Sequence, residues 1–88
     1  MDTQHLQAFV AVAETGSFSG AGQRLHLTQP AISKRIATLE QQLDSHLFDR
    51  MGRSITLTQA GSALLPSAQQ ILQEVADAQR AITDLRGQ

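Results

Sequence analysis

The chain has 88 residues, 41% of them apolar, which suffices for one small core and leaves no room for a second globular domain. Seven basic residues against eight acidic ones give a formal charge of −1, so a nucleic-acid partner would have to be met by a local cluster of cations rather than by the whole surface. The absence of cysteine excludes disulfides and thiolate metal sites, and the start MDTQHLQ lacks the basic-then-apolar order of a signal peptide.

Leu6, Phe9, Val10 and Ala13 recur at helical spacing between the capping candidates Asp2 and Thr3 and the stop signal Thr15-Gly16. They predict a first amphipathic helix packed behind the elements that follow. Ser17 can cap a second helix from about Phe18 to Leu25, with Ala21 and Leu25 on its inner side. Gly20 and Gly22 each cost this helix about 1 kcal/mol relative to alanine, a loss that close packing must offset. Gly22 is expected to let the next helix approach closely.

That third helix opens at Thr28-Gln29-Pro30. Ile32, Ile36, Leu39 and Leu43 follow at steps of four, three and four, share one narrow face, and should be buried. At about 100° per residue the opposite face holds Pro30, Ser33, Lys34, Ala37 and Gln41, with Gln29 projecting from the first turn. A helix with one apolar face and short or flexible polar residues on the other suits the major groove of B-DNA. Gln29 can offer its amide bidentately to adenine, Lys34 can donate to guanine, and Pro30 or Ala31 can touch a thymine methyl. Thr28 can cap the helix, and with Ser33 and the first-turn N–H groups it can hold a phosphate. Singly, Gln29 and Ser33 also read as ordinary surface residues and Lys34 with Arg35 as a solvated charged face; their clustering favours the DNA reading.

After Leu43 the pattern changes to Leu47-Phe48-Asp49-Arg50, Met51-Gly52-Arg53 and Ser54-Ile55-Thr56-Leu57, an alternation around a glycine that predicts a two-stranded wing. Arg50 and Arg53 flank its tip, where a guanidinium can meet a phosphate or enter a narrow minor groove. Asp49 could instead pair with Arg50, and a merely solvated hairpin is the plainer alternative. Arg24, Lys34, Arg35, Arg50 and Arg53 face only Glu40, Asp44 and Asp49 in this part of the chain, so the local charge is positive.

From Thr58 onward Leu64, Ala68, Ile71, Val75, Ala78, Ile82 and Leu85 alternate steps of four and three, a 3.5-residue repeat that predicts a coiled-coil seam on one long helix. Such a stripe exceeds what an 88-residue globule can cover, so pairing with the same helix of a second subunit is expected. Docking on a further domain is the alternative. Pro66 lies inside this helix, removes one backbone hydrogen bond and predicts a bend.

The segment SFSGAGQRLHLTQPAISKRIATLEQQLDSHLFDRMGRSITLTQAGSALLP resembles the amino-terminal domain of a LysR-type transcriptional regulator, and the resemblance covers essentially the whole chain. It implies a mainly α fold: a winged helix-turn-helix over residues 1–58, with the helix-turn-helix at about 18–37, then a linker helix over 59–88. It places Gln29, Pro30, Ser33, Lys34 and Arg53 at the family's DNA-contact positions and Thr28 at the start of the recognition helix. It also implies a homodimer through the linker helix, a possible tetramer in the full-length protein, and an effector-binding domain that this chain lacks. Departures from the family pattern are Gly20 and Gly22 in place of alanines, Lys34 in place of arginine, and Asp44 in place of a helix-ending glycine.

No apolar run is long enough to span a bilayer, which makes a cytoplasmic location the default. No cofactor and no enzymatic activity are expected: His5, His26 and His46 fall in different elements and do not form a shared acid-base or metal site. Phe9, Phe18 and Phe48 are the only aromatics and sit in apolar patterns, leaving no platform for single-stranded nucleic acid. Two functional classes remain, a sequence-specific binder of double-stranded DNA and a module whose helices serve only protein assembly. The third helix favours the first.

Overall fold

The computed structural model describes residues 1–52 and 54–87. Among these it holds four α-helices and one hairpin, in the order α1 (Thr3–Thr15), α2 (Phe18–Leu25), α3 (Gln29–Leu43), β1 (Phe48–Asp49), β2 (Thr56–Leu57) and α4 (Gln59–Arg86).

At the start of α1 the Gln4 backbone N–H donates to Asp2 Oδ1 at 2.8 Å, and at its end Gly16 turns left-handed with φ 75° and donates to the Val12 carbonyl. The sequence pattern marks a single stripe, yet α1 buries Leu6 and the whole run Ala8–Val12. The reason is tertiary: α2, α3 and α4 all pack on α1, so most of its circumference is covered.

Ser17 Oγ caps α2 by accepting from the Gly20 N–H at 2.7 Å, and His26 ends it in the left-handed region with φ 57°. Gly22 acts differently from the expectation. A Cβ at this position would lie 2.6 Å from the Leu27 carbonyl oxygen, so the missing side chain admits the turn that leads into α3, not α3 itself. The Leu27 N–H donates back to the Gly22 carbonyl at 2.8 Å and closes that turn.

Thr28 Oγ1 accepts from the Ala31 N–H at the start of α3, where Pro30 occupies the first turn that needs no donor. Ile32, Ile36 and Leu39 are fully buried. Leu43, expected on the same face, is 36% exposed because it lies in the last turn, at the edge of the core. Asp44 adopts the left-handed conformation, φ 50°, that a terminating glycine would take, and the Ser45 N–H donates to the Glu40 carbonyl at 3.1 Å.

The wing pairs antiparallel, with Phe48 opposite Leu57 and Asp49 opposite Thr56. It is shorter than the alternating pattern suggests, with two paired residues per strand. Its base is fastened to α4: Thr58 donates from its N–H to the Leu47 carbonyl at 3.0 Å and from Oγ1 to the His46 carbonyl at 2.6 Å. The same Oγ1 accepts from the Gly61 N–H at 3.1 Å and so caps α4.

α4 runs 28 residues, about 42 Å at 1.5 Å per residue, and sets the 52 Å long axis of the molecule. Pro66 lies inside α4 at an exposed position, and the helix assignment continues through it with the Ser62 carbonyl left without its usual N–H partner. Leu64, Leu65, Ala68, Ile71 and Leu72 pack on the core, and past Leu72 the helix projects beyond it. Among the described residues no helix is long and apolar enough to cross a membrane.

Candidate nucleic-acid interface

The buried face of α3 fixes what its other face presents. With Ile32, Ile36 and Leu39 directed at α1, helical geometry turns Pro30, Lys34, Ala37 and Gln41 outward, and all four are exposed, as are Thr28 and Gln29. Ala31 and Ser33 are half-buried along the edges of this face. Arg35 is also half-buried and lies only about 60° around the helix from Ile32, so it belongs to a flank of this face. Thr38 Oγ1 donates to the Lys34 carbonyl at 2.9 Å, which satisfies that hydroxyl within the helix.

The single carboxylate of α3 is directed elsewhere. Glu40 Oε2 accepts from the Leu47 N–H at 2.7 Å and stands 3.9 Å from His46 Nδ1, so it secures the base of the wing and leaves the outward face of α3 free of negative charge. Arg24 is spent as well: its Nη1 donates to Glu14 Oε1 at 2.5 Å. Glu14 Oε2 in turn accepts from Gln69 Nε2 at 2.9 Å, tying α1, α2 and α4 together. The Arg24 and Gln69 hydrogen bonds hold the Glu14 carboxyl below the usual carboxylate range, against a smaller opposing effect of burial. Of the five basic residues counted along this part of the chain, Lys34, Arg35 and Arg50 remain without a carboxylate partner among the described residues.

Arg50 does not pair with Asp49. Its guanidinium carbon lies 4.3 Å from the centroid of the Phe18 ring, at the start of α2. Gly52, with φ 68°, makes the turn of the wing. Arg53 lies outside the described residues.

The linker stripe divides into two parts. Ala68 is completely covered by the chain's own core, and Leu64 and Ile71 are half-buried against it. Val75, Ala78, Ile82 and Leu85 are exposed, rising from 38% at Val75 to 54% at Ile82 and 71% at Leu85. The core-facing residues Leu65 and Leu72 are absent from the heptad reading, although they flank Ala68 at steps of three and four. Gly61 carries no signal in the sequence pattern: a Cβ there would collide with the Leu47 carbonyl oxygen and come within 2.9 Å of Leu57 Cδ2, so α4 rests directly on the wing.

Three helices in which the third presents an exposed polar face, followed by a hairpin packed beside them, define a winged helix-turn-helix. The chain belongs to the LysR family: the family model described as a bacterial regulatory helix-turn-helix protein, lysR family, matches residues 3–62. It is 64% identical over 87 residues to an uncharacterised HTH-type transcriptional regulator, in the ibpB-leuC intergenic region, of Azotobacter vinelandii, covering 99% of this chain and 60% of that protein. The BenM DNA-binding domain, crystallised with catB site 1 DNA, superposes with a TM-score of 0.90 at 32% identity, over 97% of this chain and 96% of that one. The CbnR DNA-binding domain in its DNA complex gives 0.82 at 40% identity, over 94% and 99%. The fold is thus that of the DNA-binding domain of LysR-type transcriptional regulators. The chain spans 60% of the Azotobacter relative and about a quarter to a third of several other regulators that it matches.

Proposed function

We propose that the chain binds double-stranded DNA by sequence, laying α3 in the major groove, and that it does so as a homodimer on an interrupted inverted repeat. The observation that carries this reading is the outward face of α3, where Gln29, Pro30, Lys34, Ala37 and Gln41 are exposed and the one carboxylate of the helix is fastened to Leu47. Gln29 reads adenine through its amide, Lys34 donates to a guanine edge, and Pro30 with Ala31 meets a thymine methyl. Thr28 and Ser33 hold phosphate at the helix start; the Thr28 oxygen already accepts from Ala31 and keeps its proton to donate. Arg35, on the flank, Arg50, on the wing, and Arg53 supply backbone contacts. The BenM and CbnR domains, which share the fold, are found in complexes with DNA, and this supports the reading of the chain as a DNA binder.

The dimer contact is centred on Val75, Ala78, Ile82 and Leu85, with Leu64 and Ile71 at its edge and Ala68 withdrawn into the core. A two-fold pair of this kind presents two recognition helices to half-sites spaced by the DNA helical repeat, roughly 34–36 Å or a multiple of it. Duplexes selected from a random pool test the proposal. Recovery of an inverted repeat bound at least 10³-fold more tightly than its scrambled version is the expected result. Equal binding to both would leave a protein-assembly role for the same helices.

A further inference from the structure

All three phenylalanines of the chain fall in one file that runs from the centre of the core to the wing. Phe9 is fully buried, and its ring centroid lies 5.4 Å from that of Phe48 on β1. Phe48 meets Phe18, the first residue of α2, edge to face at 6.3 Å. Phe18 then carries the Arg50 guanidinium at 4.3 Å. The first two contacts are ordinary core packing. The third is different, because it ends on an exposed cation that makes no ion pair or side-chain hydrogen bond among the described residues.

A guanidinium whose central carbon sits over a ring makes that contact without using any of its five N–H groups as a hydrogen-bond donor to a carboxylate or carbonyl. The cation–π contact therefore removes conformational freedom from Arg50 without consuming a donor. An arginine on a hairpin tip would otherwise have to be ordered by the DNA itself, at the expense of affinity. Phe18 can hold its ring still because it packs edge to face on Phe48, which Phe9 supports in turn.

We propose that Phe18 is a positioning residue for DNA binding, its ring holding the Arg50 guanidinium in place, with its N–H donors uncommitted, for a DNA phosphate before the duplex arrives. The proposal rests on the reading of Arg50 as a backbone contact. It predicts that Phe18 acts on DNA only through Arg50, which a purely structural phenylalanine would not do.

The test is a double-mutant cycle on duplex affinity across a salt series, with thermal melting recorded for each variant. Arg50→Ala should lower the salt slope by about one unit. Phe18→Leu should weaken binding about two- to five-fold, the equivalent of one exposed cation–π contact, with its salt line parallel to wild type. In the Arg50→Ala background, Phe18→Leu should change nothing further. A ring-fluorinated phenylalanine at position 18, which keeps the shape but withdraws the negative face, should reproduce the loss in a protein that melts like wild type. The proposal is overturned by additive losses in the cycle, by a fluorinated ring that binds like the natural one, or by an Arg50→Ala variant with wild-type affinity and slope. Failure of the wild-type chain to bind any selected duplex would instead overturn the functional reading itself.

Discussion

Gln29 and Gly61 show how differently single residues act in this domain. Gln29 is exposed and makes no side-chain hydrogen bond among the described residues, so its loss should leave the fold untouched. Gln29→Ala should cost about 1–3 kcal/mol on the preferred duplex and relax preference at one base pair, with scrambled DNA unaffected. Equal weakening on both duplexes, in a fluorescence titration, would make Gln29 a backbone contact. Gly61 is buried where α4 meets the wing, and a Cβ there meets the carbonyl of Leu47, which is anchored by Thr58. Gly61→Ala should therefore destabilise by about 1–3 kcal/mol through overpacking, seen as a melting temperature lower by at least several degrees. An unchanged melt would show that α4 can slide on the wing. For Arg53, the expected outcome of Arg53→Ala is a salt slope lower by about one unit, and an unchanged slope would remove it from the interface.

The elements are joined by a few polar fasteners, of which Glu14 connects the most. Its carboxylate accepts from Arg24 on α2 and Gln69 on α4, and these bonds favour the ionised form in the folded state. A carboxyl whose pKa is depressed by folding stabilises the fold fully above its unfolded value of about 4.3 and loses that contribution as pH falls through the lower folded value. Glu14→Gln should accordingly melt below wild type at neutral pH, and the two curves should converge in acid. The pair is partly exposed, so the effect should be small and reduced by salt. A constant gap across the whole pH range would mean that Glu14 acts through packing alone.

At the scale of the molecule, α4 has two tasks, and the boundary between them decides where to break the dimer. Ile71 belongs partly to the core, so an aspartate there would damage the monomer along with any interface. Val75 and Ile82 are exposed and touch no core. The double change Val75→Asp with Ile82→Asp should yield a folded monomer that binds a single half-site as wild type does and loses tight binding to the full repeat. Sedimentation equilibrium measures the first part and a titration with full and half sites the second. A wild-type chain that stays monomeric at high micromolar concentration, with and without DNA, would sink the dimer and leave this face for another domain.

The sequence by itself determined the helices, their caps and the outward face of α3. Those features depend on neighbours three or four residues apart: Asp2, Ser17 and Thr28 each accept from an N–H two or three positions on, and the Ile32, Ile36 and Leu39 spacing turns Lys34 outward whatever lies opposite. Tertiary structure decided everything that depends on which element lies across. It covered α1 nearly all round and placed Gly22 against a turn and Gly61 against the wing. It divided a regular heptad stripe between Ile71 and Val75, because a 3.5-residue repeat marks an apolar face without recording whether that face meets its own core or a second helix. It also set Arg50 on Phe18, 32 positions away along the chain, a contact without any local signature because it exists only where the wing folds back onto the start of α2.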